Sequence, residues 1–313
     1  MLTGDGLPKI SIIIAALNAE STLPAQLAAL EAQRPKVAWE VIIADNGSQD
    51  HTADLVREWS TRMPELRLVD AAARRGPAAA RNLGVAAARG SCIAFCDADD
   101  EIGDGWVTAT LRALQSHQFV AGRFDVERFR PPSAFSVSWS PQLDGLTALS
   151  YMPGFVTAGA GNMAMHRAAF DTIGGFDEGA LTAEDDDLCL RAQLAGYRLA
   201  YEPDMVLHVR LREGLPAIFT QAKQYGRGAR RLEHRFALIA ADPRVVPPKA
   251  PVLENQDILA GRTPSEHGQT PARRVVNRAR IANAIWRIGW QIGWRRANLT
   301  DVVQLTLDDV QRR

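Results

Sequence analysis

Short apolar runs alternate with helical segments over roughly the first hundred residues, and this alternation constrains the fold more than any other feature. The apolar runs are rich in β-branched residues, as expected of strands buried on both faces, and lie at 10–17, 39–44, 66–69 and 92–96. The segments with helical periodicity lie at 21–33, 50–59 and 77–89. This order predicts a mostly parallel sheet covered by helices.

The pattern loosens after about residue 105. Further elements are predicted as helices at 104–116, 185–195 and 213–235 and as a strand at 119–129. Residues 130–160 are irregular and are expected to form part of a substrate pocket. Six prolines within 242–272 indicate a linker or a long loop, and the last forty residues are predicted to be largely helical.

The strongest chemical signal is the pair Asp97 and Asp99, which directly follows the apolar run at 92–96. Alternation along a strand places both carboxylates on one face, at the sheet edge where parallel sheets bind ligands. Carboxylate oxygens suit Mg²⁺ or Mn²⁺, and Asp100 and Glu101 extend the cluster. The alternative is an acidic surface turn, but the position after the fourth predicted strand favours a metal site.

Polar residues near the ends of the first strands indicate a ligand pocket. Asp45 directly follows the run at 39–44 and is suited to accept hydrogen bonds from a nucleobase imide or a ribose hydroxyl. A plain Asn-Gly turn would also explain this segment. The loop 18–20 follows the first strand, and Arg81 lies about one turn inside the third helix. Arg81 either presents its fork of donors to a base or phosphate or is a solvated helix residue.

A run of four acids at 184–187 offers a general base for an acceptor hydroxyl. The alternative is a helix start, because Thr182 and Asp185 have the spacing of a capping box. His208 lies in a strand-like stretch, where it is either a structural histidine or a nitrogen ligand to the metal.

The ordered combination of these segments resembles the family 2 glycosyltransferases of the GT-A fold. The resemblance covers roughly residues 9–210 and is carried by the segments SIIIAALNAE, WEVIIADNGSQDHT, GPAAARNLGVAAARG, CIAFCDADDE, GNMAMHRAAFDTIGGFDE and TAEDDDLCLRAQLAGYRLAYEPDMVLHV. It implies an α/β architecture of GT-A type, in which a Rossmann-like, mostly parallel central sheet is flanked by helices. A C-terminal helical extension is expected to follow.

The resemblance also implies roles for individual residues. Asp185 is expected to be the catalytic base, oriented by Glu184, with Asp186 and Asp187 as competitors in the same acidic run. The residues expected to contact the donor are Ala16, Asn18, Glu20, Asp45, Arg81, Asp97 and Ala98. The residues expected to hold Mn²⁺ or Mg²⁺ are Asp97, Asp99 and His208.

The activity implied is that of a metal-dependent, inverting glycosyltransferase of the EC 2.4 class. It would move a single sugar from a nucleoside-diphosphate sugar to an acceptor hydroxyl, with UDP or dTDP as the favoured donor nucleotide. The chain contains no Gln-x-x-Arg-Trp motif, which processive polysaccharide synthases carry, so single transfer is favoured over polymer extrusion. The acceptor is left open among a glycan, a lipid-linked glycan, a peptide and a small molecule.

Two other functions fit parts of the sequence. A catalytically silent sugar-nucleotide or glycan-binding module would use the same fold, because fold does not guarantee activity. A nucleotidyltransferase is disfavoured, because the first strand is followed by Ala-Leu-Asn-Ala-Glu rather than by a glycine-rich loop.

The expected domain organisation has two parts. Residues 1–210 would form the catalytic domain, with the donor and metal site in 10–101 and the acceptor and base region in 102–210. Residues 211–313 would form the helical extension, interrupted by the proline-rich linker near 242–272.

The C-terminal part of the chain is strongly basic, although the formal net charge of the whole chain is zero. Residues 210–313 contain 19 Lys and Arg against 9 Asp and Glu. The segment 273–296 combines tryptophans and isoleucines with seven arginines, which suits packing on the catalytic domain, a homodimer contact or peripheral membrane contact.

The cysteines and the lack of a long apolar run limit where the chain is expected to be located. Three cysteines without disulfide or zinc spacing and no long apolar run predict a cytoplasmic protein, free or peripheral at the inner face of the membrane. No nucleic-acid partner is expected.

Overall fold

The structure, a computed structural model, describes residues 7–129, 142–180, 182–248 and 278–311. Its strands are β1 (Ile10–Ala16), β2 (Trp39–Asp45), β3 (Leu66–Asp70), β4 (Cys92–Cys96), β5 (Glu101–Ile102), β6 (Phe119–Asp125), β7 (Thr147–Ala148), β8 (Val156–Thr157), β9 (Asn162–His166) and β10 (Leu199–His208). Its helices are α1 (Leu23–Glu31), α2 (Thr52–Ser60), α3 (Pro77–Ala87), α4 (Trp106–Ala113), α5 (Arg167–Ile173), α6 (Glu184–Leu194), α7 (Leu215–Ala240), α8 (Arg278–Arg295) and α9 (Leu307–Gln311).

Eight strands form one sheet in the order β3-β2-β1-β4-β9-β6-β10-β5. Strands β1 to β4 are mutually parallel, and β6 and β10 run parallel to each other. Strand β9 lies between the two groups and is antiparallel to both β4 and β6. The sheet is therefore mostly parallel, which confirms the predicted architecture. Strands β7 and β8 form a separate two-stranded pair.

The central strands are buried on both faces, which explains their continuous apolar sequence. On one face, Ile12 of β1 joins a cluster with Leu27 of α1 and Trp106 of α4. On the other face, Ile13 packs in a cluster with Val85 of α3 and Leu188 of α6. Each such side chain contributes roughly 1.5–3 kcal/mol when fully buried.

Five elements were not predicted from the sequence. They are helix α5 and the strands β5, β7, β8 and β9 (Asn162–His166), of which β7 and β8 lie in the region 130–160 that was expected to be irregular. The strand state of β9 depends on its two partners, because its sequence, NMAMH, has no β-branched residue. The strand predicted at 119–129 ends at Asp125, and residues 130–141 lie outside the described ranges.

The C-terminal helices pack on the part of the chain that precedes them. Phe236 of α7 and Val310 of α9 share an apolar cluster with Leu190 of α6 and Phe155. Among the helices of the described ranges, none is long and apolar enough to cross a membrane. Most of the predicted linker, 249–272, lies outside these ranges.

Glycines allow α7 and α8 to make backbone contact. A Cβ atom built on Gly226 would overlap the backbone of Trp290, and one built on Gly293 would overlap the backbone of Lys223. The face of α8 with Trp286 and Gly293 is buried, whereas Ile288 is exposed. The predicted segment 273–296 is thus partly used for packing within the chain, and residues 273–277 lie outside the described ranges.

This contact predicts that Gly293→Ala destabilises the protein. The added methyl group must separate the two helices, so the free energy of unfolding should fall by about 1–3 kcal/mol. Urea denaturation followed by circular dichroism measures this change. Gln291→Ala, on the exposed side of the same helix, is the control and should leave the midpoint unchanged. Equal midpoints for both variants would contradict the proposed packing constraint.

Candidate active site

The predicted site residues gather at the carboxyl end of the parallel strands. Asp45 ends β2, the loop 18–20 follows β1, and Asp97 directly follows β4. Carboxyl ends of adjacent parallel strands meet at one edge of a sheet, which is where open α/β sheets bind ligands. The edge is therefore the candidate active site.

Three carboxylates crowd together after β4. Asp97, Asp99 and Asp100 each offer an oxygen, and these oxygens all lie within 4.8 Å of one another. Burial and then the charge of Asp97 raise the pKa of Asp99, and burial and the charges of Asp97 and Asp99 raise that of Asp100 well above its usual value. A divalent cation with a preference for oxygen ligands would offset this repulsion, so the donor set fits Mg²⁺ or Mn²⁺.

Basic and backbone groups after β10 approach the same carboxylates. The backbone N–H of Arg210 donates to Asp100 Oδ1 at 2.9 Å. Arg212 Nη2 lies 3.4 Å from Asp99 Oδ2, and most of the Arg212 side chain is exposed. The positive charges of Arg210 and Arg212 thus both act on the acidic cluster.

Arg81 is buried between two carboxylates rather than solvated. Its Nη2 donates to Asp97 Oδ1 at 2.8 Å and its Nη1 to Glu184 Oε1 at 2.9 Å, and the residue is only 6% exposed. Although burial opposes it, the charges of Asp97 and Glu184 raise the pKa of Arg81, so the guanidinium stays charged. Arg81 therefore ties the end of β4 to the start of α6.

The acids at the start of α6 have separate partners. Asp185 accepts hydrogen bonds from the backbone N–H groups of Ala160 at 3.3 Å and Asp186 at 2.9 Å. Asp187 is buried and accepts from Arg191 Nε at 2.6 Å and Arg235 Nε at 2.9 Å. Because two guanidinium groups hold Asp187, Asp185 and Asp186 are the carboxylates left for chemistry.

Burial and neighbouring charge alter the titration of these acids. Burial, followed by the charges of Asp186 and Glu184, raises the pKa of Asp185 well above its usual value. Burial raises the pKa of Asp186 to about 6, against the hydrogen bond from Thr157. A carboxylate with a raised pKa is a stronger base once it is ionised.

The capping box considered at the start of α6 is absent. The residue before the helix is Ala183, with φ of 63°, and no side chain caps the helix. The Thr182 hydroxyl instead donates to the Gln224 carbonyl of α7 at 3.3 Å. The acids at 184–187 therefore do not serve as the predicted cap.

The loops after β1 and β2 are joined by hydrogen bonds. One oxygen of Asp45 accepts from the backbone N–H and the hydroxyl of Ser48, at 3.0 and 2.6 Å. Asn18 Oδ1 accepts a hydrogen bond from the backbone N–H of Gln49 at 2.8 Å, and Glu20 Oε2 accepts one from the backbone N–H of His51 at 2.6 Å. The Ala16 carbonyl accepts from Asn46. These contacts bring Ala16, Asn18, Glu20 and Asp45 together, and their contact with a donor stays a prediction.

His208 lies beside the acidic cluster but is not grouped with it among the described residues. Its Nδ1 is 2.5 Å from Asp125 Oδ2, and its Nε2 lies near Gly103. The sequence prediction that His208 completes a metal site thus stays a prediction. Ala98, predicted to contact the donor, is buried within the turn between Asp97 and Asp99.

Two residues that support the acidic turn were missed by the sequence analysis. The buried Gln26 of α1 donates to the Asp97 carbonyl at 3.1 Å and accepts from the Ile102 N–H at 2.9 Å. A Cβ atom on Gly161 would lie 2.6 Å from Asp97 Oδ2, so any larger residue there would push this carboxylate out of its position. No local pattern distinguishes Gln26, whereas the Ala160-Gly161 pair directly before β9 was a visible signal for Gly161.

Comparison with known proteins identifies the family. The sequence model of the family described as glycosyl transferase family 2 matches residues 11–174, just over half of the chain. This chain belongs to glycosyl transferase family 2. A second model, described as glycosyl transferase family group 2, matches residues 93–300 and so extends into the C-terminal helices.

Similar proteins agree with this assignment. Glycosyltransferase AglE of Haloferax volcanii is 25% identical over 201 residues, which cover 64% of this chain and 66% of that protein. The chain thus spans just under two thirds of the length of this relative.

Solved structures show the same GT-A fold. The mannosyltransferase PcManGT of Pyrobaculum calidifontis, in complex with GDP-Man and Mn²⁺, has a TM-score of 0.58 at 21% identity, over 77% of this chain and 66% of that one. S. aureus TarS 1–349, in complex with UDP-GlcNAc, has a TM-score of 0.52 at 19% identity, over 74% of this chain and 72% of that one.

The position of Arg81 predicts a large loss of stability in Arg81→Met. This change leaves the carboxylates of Asp97 and Glu184 without their buried counter-charge, so the free energy of unfolding should fall by about 3 kcal/mol or more. Chemical denaturation of both proteins measures the difference.

A matched control is Arg112→Met. Arg112 also bridges two carboxylates, those of Glu202 and Asp204, but its side chain is 57% exposed. Water already screens these exposed pairs, so this variant should unfold close to wild type. Equal losses in the two variants would show that Arg81 is no more than an ordinary ion pair.

Proposed function

We propose that this chain is a metal-dependent, inverting glycosyltransferase that moves one sugar from a nucleoside-diphosphate sugar to an acceptor hydroxyl. The observation that carries the proposal is the convergence of the Asp97–Asp100 cluster and the Asp185 carboxylate at one sheet edge, with Arg81 held between them. One side of this edge suits a diphosphate with its cation, and the other offers a base.

The donor's diphosphate would lie at the acidic cluster. Asp97, Asp99 and Asp100 would hold Mn²⁺ or Mg²⁺, which stabilises the negative charge of the departing diphosphate. Arg212, exposed beside Asp99, would provide a second positive charge to the same phosphates.

His208 remains the proposed nitrogen ligand. Its Nδ1–H is donated to Asp125, which leaves the lone pair of Nε2 for a cation. Histidines that bind metals commonly use their second ring nitrogen in this way. Burial alone would raise the pKa of Asp125, but the hydrogen bonds from the Glu127 backbone N–H and the His208 ring lower it. This carboxylate is therefore ionised and able to accept a hydrogen bond.

The nucleoside would bind where the loops after β1 and β2 meet. Ser48 occupies one oxygen of Asp45, which leaves the second oxygen to accept the imide N–H of a uracil or thymine. Asn18, Glu20 and the Ala16 backbone would line the same pocket. We therefore favour a UDP or dTDP donor over a guanosine donor.

Asp185 would act as the base. Its oxygens would take the proton from the acceptor hydroxyl as that oxygen attacks the anomeric carbon from the face opposite the diphosphate. A single displacement of this kind inverts the anomeric configuration. Glu184, held by Arg81, would keep Asp185 at a fixed distance from the donor. Residues 1–210 would then form the catalytic unit, with donor contacts in 10–101 and the base in 102–210.

Donor binding tests the first half of this proposal. Thermal shifts with UDP, dTDP, GDP and their sugar conjugates should show stabilisation by one nucleotide, and only with Mn²⁺ or Mg²⁺. Asp99→Asn should remove this metal-dependent shift and the transfer activity while the protein stays folded.

The control for this variant is Asp104→Asn, which changes an exposed carboxylate in the same segment. It should bind nucleotide and transfer sugar like wild type. Metal-dependent binding that survives in Asp99→Asn, or full transfer activity in that variant, would rule out the proposed donor site.

The pH dependence tests the second half. Transfer requires ionised Asp185, so kcat/KM should rise with pH, with a midpoint well above the usual value for an aspartate. Asp186→Asn removes a negative charge that raises the pKa of Asp185, so the midpoint should move to lower pH by about one unit. The control is Asp54→Asn, which changes an exposed residue of α2 and should leave the midpoint of the pH profile unchanged. A midpoint unaffected by Asp186→Asn would argue against Asp185 as the base.

A further inference from the structure

Helix α8 lies in a segment that is basic and contains no acidic residue. Asp and Glu are absent from residues 267–300, which contain seven arginines. Four of these arginines lie within α8. A surface that carries charge of one sign attracts partners of the opposite sign. The packing of α8 decides whether these arginines form such a surface.

The arginines of α8 are turned away from α7. The residues of α8 that are buried against α7 recur at helical spacing and are Ala282, Trp286, Gly289 and Gly293. The opposite side of the helix forms an outer stripe at the same spacing, which consists of Arg280, Ala284, Ile288, Gln291 and Arg295. Ala284 is half-buried and the other four residues of the outer stripe are exposed, as is the neighbouring Arg287.

The charge of this side is not neutralised within the part of the chain that the structure describes. There, neither Arg287 nor Arg295 forms an ion pair. The neighbouring helix α7 differs, because Arg230 pairs with Glu233 and Arg231 pairs with Asp301. Helix α8 therefore presents positive charge to its surroundings, whereas much of the charge of α7 is used inside the molecule.

The outer stripe also contains an exposed apolar side chain. From Arg280 to Arg295 it extends about 22 Å, at 1.5 Å per residue. Ile288 lies at its middle and is 50% exposed. Beside the stripe, the half-buried rings of Trp290 and Trp294 stack with centres 6.4 Å apart. Arginines around an apolar residue, with tryptophan nearby, are the residue types that bind at the headgroup level of a bilayer.

The charge selects among the possible occupants of the outer stripe. A second copy of the chain in a two-fold contact would place the same patch against itself, so arginines would face arginines. A nucleic acid would supply phosphates but no apolar layer for the isoleucine. A bilayer with anionic lipids supplies both, and its planar surface suits a straight helix.

We propose that the outer stripe of α8, together with Arg287, is a docking surface for the headgroups of anionic lipids. Helix α8 would lie along the bilayer surface, with the arginines at the lipid phosphates and Ile288 inserted between the headgroups. Because α8 is already packed on α7, this surface needs no ordering before it binds. The inference does not depend on the proposed transfer reaction.

Vesicle flotation of the full chain tests this surface. Wild type should float with vesicles of phosphatidylcholine and phosphatidylglycerol in equal parts, but not with phosphatidylcholine alone. Salt at about 0.5 M should release it, because the attraction is screened. Each arginine near an anionic surface contributes about fivefold to binding, so Arg287→Gln/Arg295→Gln should bind at least about tenfold more weakly. Arg287→Lys/Arg295→Lys keeps both charges and should bind close to wild type.

The matched control is Arg57→Gln/Arg112→Gln. It removes the same net charge from α2 and α4, where these side chains are 64% and 57% exposed. It should float like wild type, because its arginines lie outside the outer stripe. Equal thermal unfolding midpoints of wild type and the α8 variants would show that the variants are folded.

Several results would overturn the proposal. One is equal flotation of wild type with the two kinds of vesicle, and another is flotation of Arg287→Gln/Arg295→Gln like wild type. Equal losses in this variant and in the control would show an effect of net charge alone. Absence of vesicle binding would also overturn it, whether sedimentation velocity then shows a dimer that Arg287→Gln/Arg295→Gln breaks or the chain binds a DNA duplex instead.

Discussion

One buried guanidinium holds the candidate active site together. Arg81 reaches Asp97 after β4 and Glu184 at the start of α6, two groups that are far apart in the chain. Removing a guanidinium from water is costly, and two carboxylates recover that cost only when the geometry is good. The positions of the acidic cluster and of Asp185 therefore depend on each other through this residue. Its single positive charge is outnumbered by the neighbouring carboxylates of Asp97, Glu184 and Asp185.

The sequence predicted the parallel part of the fold well because strands that are buried on both faces have continuous apolar sequences. In β1, β2 and β4 almost every side chain meets a helix on one face or the other, so the apolar run is continuous. Strand β9 carries no such signal. Alanine and methionine are compatible with helix as well as strand, and only pairing with β4 and β6 decides the outcome.

The site was predictable where its chemistry is local and unpredictable where it is not. Asp97 and Asp99 could be paired because they directly follow a buried strand, although the structure places them in a turn and not in the strand itself, and Asp45 could be placed by its position at the end of β2. The contact of Arg81 with Glu184 joins residues 103 positions apart, so no local pattern could separate it from a solvated arginine. Likewise, the role of Asp187 in binding Arg191 and Arg235 emerges only when α7 is packed on α6.

Strand β9 has a consequence for how the enzyme can move. It pairs with β4, which leads into the acidic cluster, and with β6, which ends at Asp125 near His208. Many two-part enzymes close around their substrates by rotating about a hinge in the connecting segment. Here a continuous hydrogen-bonded ladder joins the strands that lead into the acidic cluster to the strands β6 and β10, and such a rotation would break it. Movement around the candidate site is therefore expected in the loops at the sheet edge rather than in the sheet.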